Sequence, residues 1–237
     1  MKANKYLLVA LILSVFISCS DSDNNIATSN NSETFGLVIH GGAGSMEKDN
    51  YTEEQILEYE AVLNQALSEG YSSLEKNETA LDAIEKVIAI LEDSPLFNAG
   101  RGAVFTNNET NELDAAIMDG SNLKAGAVAG ITTVKNPIKL ARAVMDKSQH
   151  VMMIGEGAEE FAKTQNIEIV NPTYFKTEER LKTLQRIKNS EKQNEQSFLN
   201  NNNDYKFGTV GCVALDKNGN LAAGTSTGGM TNKRYGR

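Results

Sequence analysis

Tryptophan is absent, and prolines number only three, histidines two and cysteines two in 237 residues. Without tryptophan there is no Trp-lined binding platform, and so little proline excludes a Pro-rich scaffold. His40 and His150 stand far apart, with no H-x-x-x-H spacing and no clustered cysteine and histidine, so metal-dependent hydrolysis lacks a ligand set. Basic residues are outnumbered, 23 to 31, for a formal net charge of −8. That balance argues against nucleic acid as a partner, because phosphate binding needs clustered Lys and Arg. No long apolar run occurs either: the longest, Tyr6 to Ile17, is too short for a membrane-spanning helix.

What is present is enough for one sizeable α/β core, with 40% hydrophobic residues. The segment 1–19 stands apart from it. Lys2 and Lys5 precede the apolar run and Ser18-Cys19 closes it, which reads as an export signal. A small residue followed directly by cysteine resembles a bacterial lipoprotein signal, and this resemblance implies lipidation of Cys19 and an exported, periplasmic or cell-surface, membrane-anchored protein. Simple secretion is the alternative. Residues 20–34, rich in Ser, Asn and Asp, read as a flexible tether. A lipidated Cys19 cannot pair with Cys212, so no disulfide is expected. Cys212 lies in an apolar strand and reads as a small core residue.

Along the rest of the chain, Phe35–His40 predicts a short strand that empties into the glycine-rich HGGAGS, residues 40–45. Apolar spacing predicts helices over 52–70, with Gly70 as the stop, and over 79–91. Residues 96–120 read as a Gly-rich loop, a strand, a polar turn and a second strand. Further strands are expected over 125–133 and 150–154, and helices over 137–147 and 156–164. A charged helical stretch, 176–196, leads into an Asn-rich linker, 197–206. Residues 210–215 and 221–226 form a hairpin around Asn218-Gly219. The order of elements lacks the regular alternation of a doubly wound sheet and suits a stacked helix-sheet-sheet-helix sandwich.

Two chemistries compete for these motifs. Gly224-Thr225-Ser226-Thr227-Gly228 satisfies G-x-S-x-G, and His40-Gly41-Gly42-Ala43-Gly44 is similar to the oxyanion loop of esterases. In that fold, however, a helix follows the serine, and the acid and histidine come later. Here GGMTNKRYGR follows, and both histidines precede Ser226. Glu112, Asp114 and Asp119 lie in a turn-and-strand region where solvated or backbone-bonding roles are the default, and His40 and His150 read as structural. The other candidate is Thr209, which opens an apolar strand directly after the Asn-rich linker. A threonine hydroxyl is a weak nucleophile, and one solution is the free amine of an N-terminal threonine acting on its own side chain. That solution needs a chain break before Thr209, and Gly208 tolerates the backbone such a break requires.

HGGAGS, PLFNAGRGAVFT, ELDAAIMDG, GTVGCVALD, NLAAGTSTGGMTNK and the final YGR together resemble the plant-type asparaginase and isoaspartyl peptidase family of N-terminal nucleophile hydrolases. The resemblance runs from about Phe35 to Arg237. It implies an αββα sandwich, self-cleavage between Gly208 and Thr209 into an alpha subunit, 35–208, whose stretch 175–208 is the charged and Asn-rich linker, and a beta subunit starting at 209–237. It also implies a dimer of the resulting heterodimers and hydrolysis of small substrates, L-asparagine and β-aspartyl peptides. By the same resemblance Thr209 is the nucleophile, Thr227 orients it, Asn98 lies next to the catalytic centre and Arg237 grips the substrate α-carboxylate. The segment Leu91 to Arg101, with Leu91, Glu92, Ser94, Phe97, Ala99 and Arg101, matches a loop around a structural sodium ion bound mostly by backbone carbonyls. No cofactor is implied for catalysis. Glycosylasparaginase is the alternative within the family, and a non-catalytic surface lipoprotein the alternative outside it. Because the sequence stops inside the family's G-R-V-G-D-S-P motif, the expectation is a fold incomplete at its C-terminal end, with the hairpin of 210–215 and 221–226 stripped of sheet partners and the chain neither stable nor active alone.

Overall fold

A computed structural model describes residues 34–42, 50–193 and 208–236. The expected leader with Cys19, the tether up to residue 33, the Asn-rich linker and Arg237 lie outside the described residues.

Among the described residues the strands form a six-stranded mixed sheet. In chain order they are β1 (Gly36–His40), β2 (Leu113–Asp119), β3 (Ala125–Ile131), β4 (Met152–Ile154), β5 (Thr209–Leu215) and β6 (Leu221–Thr227). Across the sheet the order is β1-β5-β6-β2-β3-β4. The β3–β4 pair is parallel and the others antiparallel. The helices are α1 (Glu53–Glu75), α2 (Ala80–Asp93), α3 (Pro137–Lys147), α4 (Gly155–Thr164) and α5 (Glu178–Gln193). Thr52 and Thr79 each open a helix with a reciprocal capping box, to Gln55 and Asp82.

One face of the sheet is covered by α1, α2 and α3. Strand alternation sends Val210, Cys212 and Ala214 of β5, and Leu113, Ala115 and Ile117 of β2, into a core shared with Ile84, Val87, Ile88 and Leu91 of α2 and Ile138, Leu140 and Val144 of α3. On the opposite face Val38 is 72% and Val213 49% exposed, and no described helix packs there. This is the mixed α/β layering consistent with the family resemblance; of the expected αββα sandwich, the described residues supply one sheet with its helical layer.

Three sequence expectations need correction. The β5–β6 hairpin is not stripped of partners: β1 flanks β5 and β2 flanks β6, so it lies inside the sheet and not at an edge. Gly70 does not end α1, which runs on to Glu75. Its lack of a side chain is needed for packing, since a Cβ there would lie 2.6 Å from Val87 Cγ2 and 2.7 Å from Leu37 Cδ1. Finally, the strand expected before β2 is replaced by a 3-10 turn at Gly100–Gly102 and a single parallel bridge from Thr106 to Lys233.

Candidate active site

The register of the β5–β6 hairpin places Thr209, first residue of β5, directly opposite Thr227, last residue of β6. Residues opposed in this way share a face. The Thr209 hydroxyl donates to Thr227 Oγ1 at 3.0 Å, although 18 residues separate them. Thr227 Oγ1 in turn donates to the Gly208 carbonyl oxygen at 3.1 Å and accepts from Gly229 N at 3.0 Å. A hydroxyl has one donor and two acceptor positions. All are used, so the Thr227 side chain is fixed by its partners.

Asn98, 3% exposed, arrives from the turn after α2. Its Nδ2 donates to the Gly229 carbonyl at 2.8 Å, its Oδ1 accepts from Val104 N at 3.0 Å and its own carbonyl accepts from Gly228 N at 3.0 Å. Gly208 is pressed against it: with φ +149, a Cβ there would sit 2.5 Å from Asn98 Cβ. Thr209, Thr227, Asn98 and Gly208 are therefore brought together as the sequence reading requires, and Arg237 lies outside the described residues.

Two participants were missed. His40, at the end of β1, has its Nδ1 2.9 Å from the Thr209 carbonyl oxygen. A carbonyl only accepts, so Nδ1 carries the hydrogen. Gly42 follows, and a Cβ built on it would lie 3.5 Å from Gly208 Cα. The HGG stretch thus backs the Gly208-Thr209 peptide, a contact that neither the esterase comparison nor the motif series assigned to it. A loop's partner across a sheet cannot be read from its own residues.

Behind the strand lies the second surprise. Glu92, fully buried, accepts from Ser226 Oγ at 2.6 Å and from Ile138 N at 3.1 Å through Oε1. Burial, only partly offset by the hydrogen bonds from Ser226, Ile138 and Asn136, pushes its carboxyl up to about 8. The sequence offered only its backbone carbonyl as a ligand, and an acidic residue near a helix end carries no signal of this.

The esterase reading ends here too, because Ser226 is 0% exposed and bonded to Glu92 on the helical side of the sheet. Cys212 is 2% exposed, and burial pushes its thiol up to about 12, which leaves no thiolate for nucleophilic work. Asp114 accepts from Gly130 N and Asp119 from Ser121 N, the backbone-bonding roles expected of them.

In the loop from Leu91 to Arg101, carbonyls crowd two glycines. A Cβ on Gly100 would collide with the Glu92 carbonyl oxygen, and one on Gly102 with the carbonyls of Phe97 and Pro95. Phe97 O and Ala99 O each accept one turn hydrogen bond, from Ala99 N at 2.9 Å and Gly102 N at 3.1 Å. Each oxygen keeps a second lone pair. Among the described residues no group of three or more His, Cys, Asp and Glu could hold a metal ion, so a cation here would rest on backbone oxygens.

A family profile described as asparaginase matches residues 33–237. The chain is 50% identical over 202 residues to the isoaspartyl peptidase of Escherichia coli (strain K12), a match that covers 85% of this chain and 63% of that protein. It is 43% identical over 203 residues to the isoaspartyl peptidase/L-asparaginase of Xenopus laevis, covering 85% and 62%. Against the plant-type L-asparaginase of Pyrococcus abyssi (strain GE5 / Orsay) it is 43% identical over 208 residues, covering 85% and 65%. The chain thus spans a little under two thirds of the length of these curated relatives. With a paired threonine centre behind Gly208 and a profile match running from residue 33 to residue 237, this chain belongs to the asparaginase family.

Proposed function

We propose that the chain is an autoprocessing threonine hydrolase. It breaks its own backbone between Gly208 and Thr209 and then hydrolyses isoaspartyl (β-aspartyl) peptide bonds and the side-chain amide of L-asparagine, releasing L-aspartate. The observation that carries this reading is the hydroxyl relay from Thr209 through Thr227 to the Gly208 carbonyl oxygen. The relay joins the attacking oxygen to the carbonyl it would attack. As the bond from Thr209 Oγ to the Gly208 carbonyl carbon forms, the C–N bond to Thr209 breaks and the hydroxyl proton passes to the departing amine. Negative charge developing on the Gly208 oxygen meets the Thr227 hydroxyl as donor. Water then cleaves the resulting ester, leaving the Gly208 carboxylate and a Thr209 that carries both a free amine and its hydroxyl.

That amine, with an ordinary pKa of about 7.7 to 8.0, is a suitable base near neutral pH. It takes the proton from Thr209 Oγ as the oxygen attacks the substrate's side-chain carbonyl. Ammonia or an amine leaves, and water releases L-aspartate from the acyl ester. Asn98, next to the centre, fixes the Gly228-Gly229 turn that feeds Thr227. Arg237 grips the substrate α-carboxylate with a planar bidentate donor.

Relatives named isoaspartyl peptidase and L-asparaginase support this substrate class over a glycosylated asparagine. The carbonyls of Leu91, Glu92, Ser94, Phe97, Ala99 and Arg101 would hold a sodium ion, a hard cation that takes oxygen ligands. Bound there, it would stiffen the loop that carries Asn98. The reading further includes a lipid anchor on Cys19, export to the periplasm or cell surface, and a dimer of heterodimers.

N-terminal sequencing and intact-mass measurement of the purified protein, beside hydrolysis of β-aspartyl-leucine, test the proposal. The expected result is a new N-terminus at Thr209, absent in Thr209→Ala, together with release of aspartate. A protein that remains one unbroken polypeptide and still releases aspartate overturns it. Turnover of a glycosylated asparagine alone would overturn the substrate assignment.

A further inference from the structure

Helix α5 is the last described element before Gly208, and it docks on the loops that build the site. Leu184 and Ile187 are buried at 0% and 4% exposure. Arg180 donates to the carbonyls of Gly102 at 2.9 Å and Leu96 at 3.1 Å, on either side of Asn98. Lys188 pairs with Glu109 at 3.1 Å. At the far end, Glu191 reaches across to the segment that follows β6: Oε1 accepts from Asn232 Nδ2 at 2.5 Å, and Oε2 pairs with Arg234 at 3.1 Å.

Asn232 is gripped from every side. It holds a left-handed backbone, φ 64, that Gly, Asn and Asp adopt more readily than other residues. Its N–H donates to Phe105 O at 2.8 Å, and its Oδ1 accepts from Asn107 Nδ2 at 2.7 Å. The next residue, Lys233, is 4% exposed and donates to the Glu112 carbonyl at 2.8 Å. This turn begins at Gly229, whose N–H feeds Thr227.

We propose that Glu191 is a positioning residue for the Thr209–Thr227 centre, acting through Asn232, and that α5 straps the turn after Thr227 in place. The inference rests on the reading of Gly208-Thr209 as the scissile bond. If the chain breaks there, α5 and Asn232 fall on different polypeptides. The Glu191 bonds then become part of what holds one piece against the other without a covalent link. A charged acceptor, 16% exposed on its side chain, suits that task, because hydrogen bonds to ionised groups are stronger than neutral ones.

The experiment has two arms. In the Thr209→Ala background, where scission is blocked, hydrogen exchange is followed with and without Glu191→Ala. Faster exchange at 229–234, with the amides around Arg180 and Leu184 still protected, is the expected result. Unchanged protection at 229–234 overturns the strap. In the Thr209 background, Glu191→Ala is expected to slow scission about tenfold at an unchanged melting temperature. Glu191→Gln, which keeps an oxygen for Asn232, should recover most of that loss. Combining Glu191→Ala with Asn232→Gly should be no slower than the slower single variant, whereas fully additive losses overturn action through Asn232. A wild-type chain that never breaks counts against the scissile bond itself, and the exchange arm still decides whether Glu191 holds the turn.

Discussion

The Thr227 hydroxyl lies 3.0 Å from Thr209 Oγ1 and 3.1 Å from the carbonyl oxygen of Gly208, so one side chain touches both the Thr209 hydroxyl and the peptide bond before it. This bridge follows from a one-to-one register between the ends of two strands. A slip of one residue would turn Thr227 to the other face.

Replacing Thr227 with valine keeps the shape and removes the bridge. Scission between Gly208 and Thr209 is expected to slow by about 10² to 10³, the usual cost of losing a donor to a developing oxyanion. Thr227→Ser, with its hydroxyl intact, should stay within about tenfold of wild type. A gel time course of the two fragments measures both. Equal rates for Val and wild type would falsify the relay.

Gly208→Ala places a side chain where φ is +149 and Asn98 Cβ is 2.5 Å away. Either Gly208 or Asn98 must move. Scission is expected to fall below detection while circular dichroism keeps the helical signal, because the helices pack on the far face of the sheet. Normal scission in this variant would show that the conformation of Gly208 is irrelevant.

Asn98→Ala removes the donor to Gly229 O and the acceptor for Val104 N. The buried Val104 N–H loses its partner, at about 1 to 3 kcal/mol, and the partly buried Gly229 carbonyl loses one as well. A melting temperature lower by several degrees, with scission slowed, is the expected outcome. Asn98→Asp is expected to keep the acceptor and lose the donor, so calorimetry on the pair separates the two bonds.

Glu92 gives the protein a pH dependence of known sign. Burial raises its carboxyl in the folded state from an ordinary 4.5 to about 8. Between those values the native protein holds a proton that the unfolded chain has released, so stability is greatest at the acid end and declines as pH rises through the window. Glu92→Gln lacks this proton. Melting curves from about pH 5 to about pH 8 should show wild type losing stability relative to the variant. Parallel pH profiles would place the ionisation elsewhere.

Most elements were legible because their residues face a single environment. The 3.6-residue spacing of Ala83, Ile84, Val87, Ile88 and Leu91 announces α2, and all five are in the core. The threonine at the end of a polar linker, and the threonine eighteen positions later, were also legible as a pair once the motif series was seen, since family spacing encodes register. Gly70 misled for a physical reason. A glycine in sequence reads as a stop, and whether it is a stop or a contact depends on Val87 and Leu37 lying against it. The hairpin was misjudged likewise, because its neighbours β1 and β2 come from far earlier in the chain.

By itself the sequence determined where most strands and helices lie and which threonine heads the strand that follows the Asn-rich linker. Tertiary structure alone decided that His40 bonds the Thr209 carbonyl, that Glu92 braces Ser226 from behind, and that Glu191 reaches Asn232. Periodicity is a local property, carried by each residue's immediate neighbours along the chain. Hydrogen bonds between residues 40 and 209, 92 and 226, or 191 and 232 depend on how the sheet brings distant segments together.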